Sequence, residues 1–181
     1  MLPPVSIFWF RRDLRFEDNV GLFHALHAGW PVVPVFIFDT DILDALENSD
    51  KRVVFIHKAV SRLQEITEAI GSTLDVRYGK PEEIFKQLLK DYAIQGVYTN
   101  HDYEPYARKR DKQIKELLQQ HGISLYSFKD HVIFEKEEVV KPDRTPYFIF
   151  TPYAKKWRSQ LTTLHYQTFE SEGLLRQLFK Q

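Results

Sequence analysis

One short loop carries more charge than a connection between two elements needs. "WFRRDLRFEDN", residues 9–19, places six charged side chains within eight residues, directly after the apolar run "VSIFWF". A turn from a strand into a helix needs one capping side chain. We expect the three arginines and three acids to pair largely with one another, and Asp18 or Asn19 to cap the next helix. Arg11 is the side chain that we expect to contact a ligand or another domain.

Two further polar clusters follow apolar runs. Asp39 and Asp41 come directly after "PVVPVFIF". They could polarise a ligand or bind a metal, but a solvated turn with a helix cap is the favoured interpretation. His101 with Asp102 resembles a metal-binding pair, yet no second His/Asp cluster has ligand spacing. We therefore expect no metal site.

The motifs of several enzyme classes are missing from this sequence. It has no cysteine, which excludes disulfides, thiolate metal sites and a cysteine nucleophile. It contains neither G-x-S-x-G, nor G-x-G-x-x-G, nor G-x-x-x-x-G-K-[ST]. The seven glycines are scattered, and a turn role is enough to explain most of them. We expect no catalytic residue in this chain and no common phosphate-binding loop.

Apolar runs and helical patterns alternate along the first 130 residues. Runs rich in β-branched and aromatic residues predict strands at 5–10, 31–38, 73–78, 96–100 and 123–128. Helical spacing and helix-end residues predict helices over 19–28 and 49–70, from Pro81 onward, and over 105–121. This alternation predicts a three-layer, Rossmann-like α/β domain with a five-stranded parallel sheet. Ligands bind such sheets at the carboxyl ends of the strands.

The start of the fourth predicted helix has two interpretations. "YEPYARKRD", residues 103–111, brings two tyrosines, a glutamate and a proline to the ligand edge of the sheet. It is either a helix that begins at a proline and carries spaced charge pairs, or a cleft wall. Such a wall would stack a flat ring and hydrogen-bond it through Glu104. The residues alone leave both open.

Composition narrows the class of protein. The 181 residues are enough for one compact domain, and 25 basic residues balance 25 acidic ones. A dedicated nucleic-acid-binding protein usually has a basic excess. We expect a soluble, cytoplasmic protein, because the start is unlike a signal peptide and no apolar window reaches about 18 residues. After residue 129 the pattern predicts an irregular loop with one short strand, a helix after Thr151 and a short amphipathic segment.

Several of these motifs together resemble one family. "WFRRDLRFEDN", "NHDYEPYARKRD" and "FTPYAKKW", in this order, resemble the amino-terminal domain of the DNA photolyase/cryptochrome family. "GKPEEIFKQLL" and "DHVIF" resemble further segments of it. The resemblance implies a Rossmann-like domain over residues 1–130, which often holds an antenna chromophore. Residues 131–181 would then be an extension and the start of an interdomain linker, and the helical FAD-binding domain is absent from this chain.

The resemblance also implies an activity for the full-length protein. In the family, a cyclobutane pyrimidine dimer is flipped out of the DNA duplex to reach the flavin. The light-excited reduced flavin then transfers an electron to the dimer, which splits. The full-length protein would be a carbon–carbon lyase, whereas this chain alone would be inactive and would not bind FAD. One alternative is the same domain of a cryptochrome photoreceptor. Another is a free-standing nucleotide-binding module that shares only the fold.

The antenna site follows from the resemblance and from the geometry of strand ends. The expected contacts are Arg11, Phe38, Ile42, Leu43, Arg52, Asp102 and Glu104. Folate-binding members carry an Asn-Glu pair where this chain has Tyr106 and Ala107. Ala107 has no carboxylate for a pterin ring, so the resemblance implies a deazaflavin or FMN, or no chromophore at all, rather than folate.

The expected partners are the FAD-binding domain of the same polypeptide and, through that domain, damaged DNA. We expect no membrane association. Without the FAD-binding domain, the C-terminal third should expose an apolar patch, through which the chain could self-associate.

Overall fold

A computed structural model describes residues 2–47 and 49–180 of the chain. Its strands are β1 (Pro4–Phe10), β2 (Val32–Asp39), β3 (Asp75–Gly79), β4 (Ala93–Asn100) and β5 (Leu125–Phe128). Its α-helices are α1 (Val20–Leu26), α2 (Thr40–Leu43), α3 (Lys51–Ala69), α4 (Pro81–Asp91), α5 (Pro105–Gln120) and α6 (Phe150–Gln160). Short 3₁₀ helices follow at Lys136–Glu138, Thr163–Tyr166 and Glu172–Gln177.

The five strands form one sheet in the order β3-β2-β1-β4-β5, and every neighbouring pair is parallel. Side chains alternate between the two faces of β1. Ile7 and Trp9 join the apolar core under α4 and α5, while Phe8 and Phe10 join the core under α1 and α3. The predicted three-layer α/β fold with a five-stranded parallel sheet is therefore confirmed.

Most predicted helices and strands match the structure, and each element that differs does so for a local reason. β4 begins at Ala93, three residues before the predicted start, because the exposed Gln95 interrupts the apolar run that marks the strand. α2 was not predicted, since four residues are too few to show a helical period. The short strand predicted after residue 129 is wrong: residues 129–149 contain no strand and only one 3₁₀ turn.

The C-terminal segment returns to the sheet. Leu178 is 1% exposed and forms an isolated parallel bridge with Val32 at the start of β2. The backbone N–H of Phe179 donates to the Val32 carbonyl (2.8 Å), and Ser72 donates to the Phe179 carbonyl (2.7 Å). Residues 171–180 therefore complete the core beneath α1 and α3, a role that their short amphipathic pattern does not reveal. The division of the chain at residue 130 stays a prediction.

Residues 139–166, which we call the arm, lie between the end of the sheet and this returning segment. α6 lies within the arm and has no buried residue. Trp157 of α6 packs edge-on against Phe134, with ring centroids 5.5 Å apart. Large apolar side chains of the arm face outward, among them Phe148, Ile149, Phe150, Leu164 and Tyr166. Within the described residues, no helix has the length and apolarity that crossing a lipid bilayer requires.

Candidate functional site

The carboxyl ends of β1 and β4 flank the point where the strand order of the sheet reverses, which is the usual ligand crevice of such folds. In many of them a phosphate binds the free N–H groups at the start of the first helix. Here the first three N–H groups of α1 already donate to side-chain oxygens: Val20 to Asp130 (3.1 Å), Gly21 to Asn100 (2.8 Å) and Leu22 to Asn19 (3.1 Å). The protein itself therefore occupies the position that a phosphate would take.

Asn100 fills the crevice between β1 and β4. A Cβ added at Gly21 would lie 2.6 Å from its Oδ1 atom, so this close approach of helix and strand requires glycine. The Asn100 amide nitrogen donates to Asp13 (2.6 Å) and to Asn19 (2.9 Å). Asn19 caps α1, as one of the two predicted alternatives holds. The crevice is thus packed with hydrogen-bonded side chains.

The predicted pairing within the loop 9–19 is wrong for its arginines. Each arginine instead reaches an acid from another part of the chain: Arg11 to Asp111 (2.6 Å), Arg12 to Asp102 (3.1 Å) and Glu104 (2.7 Å), and Arg15 to Asp130 (2.9 Å). An extended loop turns successive side chains to different sides, which separates neighbours in sequence. The loop therefore joins β1 to α5, to the end of β4 and to the end of β5.

The Arg11 side chain is buried and its guanidinium is held by contacts within the protein. Its side chain is 6% exposed, and both Asp111 oxygens accept from the same guanidinium nitrogen (2.6 and 2.7 Å). A second nitrogen donates to the Asn100 carbonyl, and the guanidinium carbon lies 5.2 Å from the Trp9 ring centroid. Burial lowers the pKa of Arg11, and the neighbouring Asp111 opposes that effect. These contacts occupy the group that was predicted to meet a ligand.

The other predicted site residues form two groups. Arg12 holds Asp102 and Glu104 together at the end of β4; the Asp102 side chain is 7% exposed and that of Glu104 is 52% exposed. At the end of β2, Ile42 is 43% exposed, while Phe38 and Leu43 are half-buried.

Arg52, the remaining member of the β2 group, lies in the first turn of α3. Its side chain is 73% exposed and its guanidinium pairs with Asp50 at 2.6 Å. Within residues 2–47 and 49–180, no hydrogen bond or ion pair joins the β2 group directly to Asp102 or Glu104.

Tyr106 and Asp39, whose contact sequence spacing does not reveal, link these two groups. Tyr106, in the first turn of α5, donates its hydroxyl hydrogen bond to Asp39 at 2.6 Å. Arg110 lies 4.0 Å from the same carboxylate. Asp39 is a helix cap, as expected, although the helix that it caps, α2, was not predicted; it is also buried (7% exposed) rather than solvated. The contact crosses from β4 to β2 over the end of β1, so it fixes the separation between the two groups.

Burial determines the proton affinity of this pair. It raises the pKa of Asp39, while the hydrogen bond from Tyr106 acts in the opposite direction. Burial and the adjacent carboxylate together raise the pKa of Tyr106 well above its ordinary value. At neutral pH the phenol therefore stays protonated and remains the donor to Asp39.

The carboxyl edge is open rather than enclosed. A cavity of about 240 Å³ lies beside Asp102 and is lined by polar side chains that include His101, Arg108 and Glu135. Pockets that enclose whole organic ligands have volumes of about 300–1,000 Å³ and mostly apolar walls. This cavity is therefore too small and too polar to enclose a flavin-sized ring by itself.

Comparison with known proteins identifies the family. The sequence profile of the DNA photolyase family matches residues 6–172. The chain belongs to the DNA photolyase family. Deoxyribodipyrimidine photo-lyase of Synechococcus is 31% identical over 160 residues, which cover 88% of this chain and 33% of that protein. Cryptochrome-2 of Arabidopsis thaliana is 32% identical over 154 residues, 83% of this chain and 25% of that protein.

A solved structure agrees with the fold. The archaeal photolyase from Sulfolobus tokodaii, described with two FAD molecules that imply a novel light-harvesting cofactor, superposes with a TM-score of 0.67 at 31% identity. The match covers 75% of this chain and 32% of that one. This photolyase-family chain thus spans about a third of the length of the Synechococcus and Sulfolobus relatives.

Proposed function

We propose that this chain is the antenna-chromophore-binding domain of a light-driven deoxyribodipyrimidine photolyase. Its membership in the DNA photolyase family, with photolyase relatives about three times its length, is the observation that carries the proposal. In the full-length protein, an FAD-binding domain splits cyclobutane pyrimidine dimers in DNA as a carbon–carbon lyase. The chromophore absorbs light and passes the excitation to that flavin, so this chain alone is not catalytic. We place the protein in the cytoplasm, without membrane association.

The chromophore rests on the exposed apolar face at the end of β2. Phe38, Ile42 and Leu43 supply a surface for one side of a flat ring. Glu104, which is half-exposed, and Arg52 supply charged groups that can reach a polar ring edge. Asp102 acts through Arg12 because its own carboxylate is nearly buried. The Sulfolobus relative, whose description implies a light-harvesting cofactor, supports the presence of such a chromophore in the full-length protein.

A deazaflavin or FMN fits the residues of α5 better than folate does. Ala107 is 2% exposed and has no carboxylate to offer a pterin. The hydroxyl of Tyr106, which precedes it, already donates to Asp39. A relative described with two FAD molecules also favours a flavin-type ring.

The test is binding of FMN and of an 8-hydroxy-5-deazaflavin to the purified chain, followed by ligand fluorescence. Ile42→Asp should weaken binding at least about tenfold, because it places a charge against the apolar ring. Ile70→Asp is the matched control. Ile70 is also exposed, but it follows the C-terminal end of α3, whereas Arg52 of the proposed site lies at the N-terminal end. Equal binding by both variants would place the ligand elsewhere or exclude it.

The cryptochrome alternative draws on the match to Cryptochrome-2. The two activities differ in the flavin domain, so the full-length protein decides between them. A photolyase removes dimers from ultraviolet-irradiated DNA in a light-dependent reaction, whereas a cryptochrome retains flavin without repairing DNA. The nucleotide-module alternative is disfavoured because side chains already occupy the first N–H groups of α1.

The FAD-binding domain packs against the arm in the full-length protein, and the isolated chain self-associates through the same surface. Phe148, Ile149 and Phe150 are 86%, 68% and 77% exposed, and an apolar cluster of this kind marks an interaction surface. Sedimentation velocity at high concentration should show dimers or larger species. Exchanging both phenylalanines for serine should abolish them, whereas the control Lys155→Ser should not. A wild-type chain that stays monomeric would contradict this proposal.

A further inference from the structure

Three potential metal ligands meet behind the charged loop. Asp13 follows β1, and Asp130 and His131 follow β5. One ligand atom of each lies within 4.8 Å of those of the other two. Asp13 is 4% exposed and the Asp130 side chain is 1% exposed. The two carboxylates are therefore inside the protein, unlike an acidic patch that faces solvent.

This cluster has more negative than positive charge. Asp130 pairs with Arg15 at 2.9 Å. Among the described residues, the donors to the Asp13 carboxylate are all neutral: the backbone N–H of Arg11 and the side-chain amides of Asn19 and Asn100. The Arg11 guanidinium is engaged by Asp111. A buried carboxylate without its own cationic partner is costly, so a further cation would stabilise the cluster.

His131 supplies an independent sign of a missing partner. Its Nε2 atom is buried and has no hydrogen-bond partner in the described part of the chain. No hydrogen bond joins its ring to either carboxylate, although one ring nitrogen lies within 4.8 Å of both. Buried polar atoms are nearly always partnered. Three ligand atoms gathered this closely need only a small side-chain adjustment to share one ion at about 2.0–2.2 Å.

We propose that Asp13, Asp130 and His131 bind one divalent transition-metal ion. Two carboxylates and one imidazole suit Zn²⁺ or Mn²⁺, and water completes the coordination. The Asn100 and Arg15 hydrogen bonds orient the two carboxylates, as outer partners of metal ligands do. The ion ties the loop after β1 to the segment after β5. Its role is structural and independent of the chromophore proposal.

Zn²⁺ is the probe for this site. Chain freed of metal by a chelator should take up one Zn²⁺ by calorimetry and elemental analysis, and its Tm should rise by about 5 °C at a hundredfold excess over Kd. His131→Gln keeps a polar side chain of similar size and should lose at least about tenfold in affinity. His121→Gln is the control, because His121 is exposed at the end of α5.

A readout that does not depend on a variant keeps the proposal testable if His131→Gln fails to fold. The absorption of Co²⁺ bound to the wild-type chain should indicate nitrogen and oxygen ligands with one ion per chain. We expect a Kd in the micromolar range. Binding of less than one metal ion per chain, at a metal concentration 100-fold above such a Kd, would overturn the proposal. Affinity equal in wild type and a folded His131→Gln would overturn it as well.

Discussion

Gly21→Ala tests whether the crevice between β1 and β4 is packed as described. A Cβ at this position would lie 2.6 Å from Asn100 Oδ1, 3.0 Å from the Phe8 ring and 3.2 Å from the Thr99 carbonyl carbon. Overpacking of this kind costs about 1–3 kcal/mol. It also disturbs the Gly21–Asn100 hydrogen bond, worth about 1 kcal/mol, whereas alanine recovers at most about 1 kcal/mol of helix propensity. The net destabilisation is about 1–3 kcal/mol.

For a chain of this size, that loss lowers Tm by about 3–10 °C. Thermal unfolding followed by far-UV circular dichroism measures it. Gly173→Ala is the matched control, because no atom lies within 4 Å of its added Cβ. The control should melt at the wild-type temperature or slightly above. A Gly21→Ala variant that melts at or above the wild-type temperature would show that helix propensity outweighs packing. The description of the crevice as filled by side chains would then be wrong.

Three further predictions concern stability. Asp13→Ala removes the carboxylate that accepts three hydrogen bonds, so it should lower Tm by at least about 5 °C while chromophore affinity changes less; the reverse ranking would contradict the structural role of the loop. Tyr106→Phe removes the donor that offsets burial of the Asp39 carboxylate, whose pKa burial raises. Because that cost disappears as the pH falls and the carboxyl group takes up a proton, the Tm loss should be larger at pH 7 than at pH 4; equal losses would refute it. Leu178→Ala should cost about 2–5 kcal/mol, whereas the exposed Leu164→Ala should cost almost nothing; chemical denaturation compares the two, and equal midpoints would show that the returning segment does not stabilise the domain.

Local periodicity was enough to predict the fold. β2 is apolar up to its last residue, Asp39, because both of its faces are covered, and α3 shows helical spacing. A short stretch of sequence is therefore enough to identify each element. Pro81 and Pro105 begin helices where prolines are favoured, and Gly122 has the positive φ expected after a helix end. The position of Leu178 was not predictable in this way, because its contact at Val32 joins residues far apart in sequence.

For the candidate site, the sequence predicted which strand ends meet at one edge of the sheet, but not the contacts between their side chains. Sequence position brings Phe38 and Glu104 to the same edge of the sheet, but it does not give the partner of each charged group. The three loop arginines pair with acids that lie from 90 to 115 positions away, so their pairing depends on tertiary structure. The contact between Tyr106 and Asp39 could not be predicted for the same reason, because the two residues are 67 positions apart in sequence. Asp13 and His131, which we propose as metal ligands, are likewise separated by most of the domain.

Equilibrium binding of chromophores to the purified chain tests the central claim most directly. FMN, an 8-hydroxy-5-deazaflavin, a reduced folate and NAD⁺ should each be titrated under the same conditions, with fluorescence or calorimetry as the readout. The account predicts saturable binding of the deazaflavin or FMN at one molecule per chain, weakened at least about tenfold by Ile42→Asp. Binding of NAD⁺ with no binding of either flavin-type ring would contradict it.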